Sequence, residues 1–195
     1  MTEKRFGPGL REVEPISVGI DQSLTGFAVT FLQVSDPNQF VTYVYKSPYN
    51  GVQRLKDISE WLMEKLESFR DHYIVDVAME GTVLASQSAL VLGELSATVK
   101  LTIWDYFADY DKQPHLLTPL QIPPMTLKKY AAGKGNAKKQ EMLLQIYKRW
   151  GIEFNDDNAA DSYALARLAG KISKGDIEDA VAEQIKDLKY RDQIN

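Results

Sequence analysis

The sequence predicts an α/β fold built on a five-stranded mixed sheet flanked by helices, and three observations carry that expectation. Ile16 to Ser47 holds three strand-like runs joined by short turns, the pattern of an antiparallel meander. Two further strand-like runs, His72–Glu80 and His115–Ile122, are separated by a long apolar helical segment. Beyond Ile122 the periodicity is helical throughout. Strands that first follow one another and then alternate with helices are the mark of a mixed sheet.

The elements follow in order. Residues 1–14 read as a flexible arm. "PISVGIDQSLTGFAVTFLQV" is a buried strand, a turn through Gln22–Gly26, and a second strand rich in β-branched and aromatic residues. "FVTYVYKS" alternates as a third. From Val52 to Phe69, Leu55, Ile58, Leu62, Leu66 and Phe69 recur at spacings of three and four, which makes an amphipathic helix. "HYIVDVAME" is the fourth strand and ends on Glu80. Ser88–Phe107 is a helix apolar on more than one side, so it is expected to be covered by more than one neighbour. "HLLTPLQI" is the fifth strand. Pro123 and Pro124 open a brief helix to Ala132, and Asn136 is placed to cap a basic helix ending before Gly151. "FNDDNAADSYALARLAG" supplies the last core helix, and 171–195 reads as a peripheral, mixed-charge C-terminal helix.

Length and composition set bounds. A chain of 195 residues buries one core without staples, so a single domain is expected over 1–195. Zero cysteines exclude disulfides, thiolate metal sites and a cysteine nucleophile. No run is apolar enough for a membrane span or a signal peptide, and a cytoplasmic protein is expected. The net charge of −4 is unevenly spread. Lys128–Arg149 holds seven basic residues (Lys128, Lys129, Lys134, Lys138, Lys139, Lys148, Arg149) against Glu141 alone, while the remainder holds 16 basic and 26 acidic ones. A basic patch on an acidic body suits a phosphate-binding surface beside a cluster of carboxylates, and equally a solvated helix face.

Three acids stand where elements end. Asp21 closes the apolar run Ile16–Ile20, and Glu80 closes "IVDVAM". Acids at strand ends on one sheet edge converge though distant in sequence, but each alone also reads as a turn residue. Asp161 is different, because Leu165 and Leu168 share its face of the helix and that face is the one to be buried. An unpartnered buried carboxylate costs several kcal/mol or becomes neutral. Hard cations such as Mg²⁺ take oxygen ligands, a few from protein and the rest from water and phosphate. Asp21, Glu80 and Asp161 suit that role, with Asn158 and Asp157 at i−3 and i−4. Asp156 is read as ordinary helix capping.

Together these segments resemble the RuvC family of Holliday junction resolvases, within the retroviral-integrase and RNase H-like superfamily. "SVGIDQSLTGFAV" is similar to the family's first motif and "DVAMEG" to its second. "LGELSATVKLTIW" resembles the helix that follows, "LKKYAAGKGNAKKQEM" the lysine segment, and "NAADSYALARLA" the last motif. The resemblance covers about Ser17 to Ala169, and the "GKGNAKK" and "DNAAD" wording looks most like phage-encoded members. It implies an RNase H-like fold and a structure-selective endonuclease that resolves four-way DNA junctions, leaving 5′-phosphate and 3′-hydroxyl ends. Asp21, Glu80 and Asp161 are then catalytic ligands of two Mg²⁺ ions, or Mn²⁺, with Asn158 or Asp157 completing the set. Lys128, Lys129, Lys134, Lys138 and Lys139 are implied to bind DNA, and Ser88–Phe107 to form a homodimer; a phage-encoded member would act in the host cytoplasm. The segment after Glu80 lacks the family's junction-wedging phenylalanine, leaving Val83 and Leu84 as apolar candidates. Two other readings stand beside this one: a nuclease of the same fold acting on flaps, forks or RNA-containing structures, and a catalytically silent nucleic-acid-binding module.

Overall fold

The computed structural model describes residues 2–11, 13–81, 88–108 and 114–174. Val83 and Leu84, and the tail after Lys174, lie outside the described residues. The strands are β1 (Thr2–Gly9), β2 (Ile16–Asp21), β3 (Phe27–Gln33), β4 (Phe40–Lys46), β5 (Ile74–Glu80) and β6 (Leu120–Ile122). The helices are α1 (Gly51–Ser68), α2 (Ala89–Phe107), α3 (Pro124–Ala132), α4 (Lys139–Trp150) and α5 (Asp157–Lys174). A 3₁₀ turn, Pro114–Leu117, precedes β6, so the expected fifth strand is half turn and half strand. α4 starts after Lys138, and Asn136 does not cap it.

The sheet has six strands, not five, in the order β1-β4-β3-β2-β5-β6. The added strand is β1, where a flexible arm was expected. It pairs antiparallel with β4, Thr2 opposite Lys46 through Phe6 opposite Thr42. Its hold is made of pairs that a local pattern does not display. Glu3 accepts from the Trp61 indole at 2.6 Å and pairs with Lys65 at 3.0 Å. Lys4 pairs with Asp156 at 3.0 Å, and Phe6 meets Phe154 edge-on. The meander β2–β3–β4 is antiparallel as expected, while β2–β5 and β5–β6 are parallel.

Two cores lie on the two faces of this sheet. One face packs Ile16, Val18 and Ile20 of β2 with α1 and α2, through Ile58, Leu62, Leu66, Leu95, Val99 and Ile103. The other packs Ala28, Leu32 and Ala78 against the alanine-rich face of α5 and against α3 and α4. The small residues of α5 are explained by how close it lies to β2. A Cβ on Gly19 would stand 2.1 Å from the main-chain oxygen of Ser162 and 2.2 Å from the main-chain nitrogen of Ala166. Only glycine allows that approach. On the same face of β2, the Ser17 hydroxyl donates to the Ala166 carbonyl at 2.7 Å. Strand periodicity then carries Ser17, Gly19 and Asp21 toward α5 together.

α2 buries one side only. Leu95, Val99, Ile103 and Phe107 are in the core, but Leu90, Leu101 and Trp104 are exposed, so its second apolar side has no neighbour within the described fold. No described helix is long and apolar enough to cross a membrane.

Candidate active site

Asp21 and Glu80 are the last residues of two adjacent parallel strands, β2 and β5, so the chain delivers both to one edge of the sheet. α5 starts above that edge. Its N-terminus is set by Asp156, whose Oδ1 accepts from the backbone nitrogens of Asn158 at 3.1 Å and Ala159 at 3.4 Å. That is the capping role expected of it, and the Lys4 pair anchors the cap to β1. One turn further, Asp161 faces the strand ends. Asp21, Glu80, Asp157, Asn158 and Asp161 all line one cleft of about 390 Å³.

The electrostatics of the cleft are those of crowded acids removed from water. Burial holds the Asp21 carboxyl well above the ordinary Asp value, and the nearby charges of Glu80 and Asp161 push it further. Glu80 is also raised by burial, opposed by its hydrogen bond with Asp21 and by the charges of Lys128 and Lys139. Burial, with Glu80 and Asp157 next, lifts Asp161 to about 7. The Asp21 and Glu80 carboxyls act on one another, which raises Asp21 and lowers Glu80. Such a group needs positive charge, supplied either by protons or by a cation. Its donors are all oxygen, which fits a hard divalent ion. Among the described residues, however, no three His, Asp or Glu side chains form a ready-made metal-binding group.

The neighbours of Asp21 and Asp161 differ in their engagement. Asp157 is ion-paired with Lys139 across the mouth of the cleft. Asn158 turns its amide nitrogen to the β2–β3 turn, where a Cβ on Gly26 would lie 2.4 Å from it. Gly26 is therefore a cradle for Asn158.

Of the five lysines singled out in the sequence, Lys128 and Lys139 line the cleft. Lys134 instead pairs with Glu141 at 2.7 Å, and the charge of Lys138 also acts on Glu141. Lys129 does not line the cleft. The two histidines are remote from it: His72 lies near the Glu14 carbonyl and His115 near the Val75 carbonyl. Gln22, Ser23, Thr25, Leu92 and Met142 line the cleft without having been read as site residues. For Gln22 the only signal was its place after Asp21 in "GIDQS".

No family model matches the chain, and no curated protein does. Solved structures do. RuvC of Thermus thermophilus, determined in complex with a Holliday junction substrate, matches with a TM-score of 0.60 over 83% of this chain and 94% of that one, at 20% identity. The fold is that of RuvC. A second Thermus thermophilus RuvC structure matches at the same TM-score and identity over 90% of this chain and 98% of that one. The yeast mitochondrial Holliday junction resolvase Ydc2 matches with a TM-score of 0.54 at 14% identity, over 91% of this chain and 87% of that one. The RuvC-like architecture expected from the motifs is thus present, on a sheet of six strands.

Proposed function

We propose that the chain is a divalent-metal-dependent endonuclease that resolves four-way DNA junctions, cutting phosphodiesters to leave 5′-phosphate and 3′-hydroxyl ends. The observation that carries this reading is the convergence in one cleft of Asp21 and Glu80 from two strand ends and Asp161 from α5. It occurs in a fold shared with RuvC, whose solved complex holds a Holliday junction, and with a yeast resolvase. Asp21, Glu80 and Asp161, with Asn158 or Asp157, would hold Mg²⁺ (two ions, replaceable by Mn²⁺). Bound there, the ions supply an activated water and charge stabilisation for the departing 3′ oxygen.

The remaining work falls to the chain's own groups. Lys128 and Lys139, on the rim of the cleft, hold backbone phosphates and offset the acids until a cation arrives. No side-chain nucleophile is needed, in keeping with the absence of cysteine. Two cuts in opposed strands need two active sites, hence a symmetric homodimer. The exposed Leu90, Leu101 and Trp104 of α2 offer an apolar surface for it.

The test is cleavage of a synthetic mobile four-way junction with Mg²⁺ beside linear duplex, flap and RNA–DNA hybrid. Paired symmetric nicks in the junction alone are expected. Asp21→Asn should cut more slowly by more than the ~10–100-fold typical of losing an outer-sphere group, while still binding the junction. Preferred cutting of flaps or hybrids would redirect the reading to another branched substrate. Binding with no cleavage by the wild type would make the chain a silent binding module.

A further inference from the structure

Gln22 directly follows Asp21, yet its side chain does not leave with the turn. It is 6% exposed, and its amide nitrogen donates to the main-chain oxygen of Glu80 at 2.5 Å. This bond crosses from the end of β2 to the end of β5. The residues it joins are Glu80 and the immediate neighbour of Asp21, so it constrains the spacing of the two carboxyl-bearing strand ends. The other half of the amide is unused: among the described residues the buried Oε1 has no hydrogen-bond partner, while Gln22 lines the cleft with the acids. A buried acceptor left unpaired costs about 1–3 kcal/mol. Such an atom in a polar cleft is best explained by a donor that arrives with the cleft's contents.

We propose that Gln22 is a positioning residue of the site: its N–H fixes the Asp21–Glu80 spacing, and its Oε1 accepts from water held in the cleft with the cation. This rests on the proposed metal-dependent reading of the cleft. The amide is suited to both tasks, since it donates at one end and accepts at the other without adding negative charge to a cleft that already holds Asp21, Glu80, Asp157 and Asp161. Outer-sphere partners of this kind orient the groups that touch the ion.

Gln33 provides a matched control. It is also buried and also has an unpaired Oε1, but its amide nitrogen bonds Glu14 and Ser35 and it does not line the cleft. Mn²⁺ binding is measured by the free-ion electron paramagnetic resonance signal for wild type, Gln22→Met, Gln33→Met and Asp21→Asn, with metal-free melting as the check on folding. Gln22→Met should weaken Mn²⁺ binding by ~10-fold or more, whereas Gln33→Met should leave it unchanged. Wild-type affinity in a folded Gln22→Met protein overturns the proposal. The wild-type protein gives a second measure that needs no variant: Mg²⁺ should shift the side-chain amide resonance of Gln22 and not that of Gln33. An unmoved Gln22 resonance overturns the proposal even if Gln22→Met does not fold. If wild type binds no Mn²⁺, or Asp21→Asn binds it equally well, the metal reading of the cleft falls and this proposal with it. If only Gln22→Met is silent, this proposal falls alone.

Discussion

A carboxyl group placed as Asp161 is, almost out of water and facing Glu80 and Asp157, keeps its proton up to a pH of about 7. In the unfolded chain the same group ionises near 3.8. Between these values the folded state holds a proton that the unfolded state has lost, so stability falls as pH rises through that window. Asp21 and Glu80, also raised, act in the same direction. In EDTA the metal-free protein should therefore melt at progressively lower temperature between about pH 4 and 7. Asp161→Asn should flatten that slope, melting with wild type at pH 4 and above it at pH 8, and it should lose the stabilisation that Mg²⁺ gives wild type. Parallel melting curves for the two proteins would refute the assignment. These three acids were legible in the sequence because each interrupts an apolar pattern at a point where charge must be explained. Gln22 was not, because a neutral polar residue after a strand end reads as turn chemistry. Only the fold shows its side chain reaching back to Glu80.

At the scale of elements, alternation and apolar spacing marked β2 to β5, α1 and α5, while prolines, glycines and charge marked α3 and α4. Sequence patterning missed β1, whose "TEKRFGPG" is polar and glycine-broken. That strand is held by Glu3 with Lys65 and Trp61, by Lys4 with Asp156, and by Phe6 with Phe154, all contacts distant in sequence. It also misjudged α2 in an informative way. A helix apolar on more than one side was expected to be covered by more than one neighbour, yet Leu90 is 78% exposed, Leu101 64% and Trp104 42%. Leu90, Leu101 and Trp104 fall along one stripe, with Ala97 and the exposed Glu94 between them, and this is the surface the proposed dimer would use. Wild type should sediment as a dimer. Trp104→Lys should weaken dimerisation by about 30-fold or more, the ~2 kcal/mol of an interfacial aromatic anchor, while the folded monomer keeps its secondary structure because the side chain is not in the core. A monomeric wild type would remove α2 from the account of paired cutting.

Across the whole molecule, charge is segregated: the segment Lys128–Arg149 is basic while the remainder is acidic. A uniform basic tract would make every lysine equivalent for DNA binding, but the fold sorts them. Lys128 stands on the cleft, where its charge reaches Glu80 and Asp161. Lys134 is already paired with Glu141, whose carboxyl that contact holds below its ordinary value. Each lysine that neutralises a phosphate contributes about one unit to the slope of log affinity against log salt. Junction binding, followed by fluorescence anisotropy in EDTA across a KCl series, should therefore rank the lysines. Lys128→Ala should reduce the slope by about one, and Lys134→Ala should change it far less, because Lys134 leaves one partner to gain another. Glu141→Gln then provides the reciprocal arm: it frees Lys134, so the slope should steepen, and Lys134→Ala in that background should bring it back. If instead Lys134→Ala and Lys128→Ala flatten the slope equally, the whole basic segment acts as a diffuse field. The difference between Lys128 on the cleft and Lys134 paired with Glu141 would then have no bearing on how DNA is held.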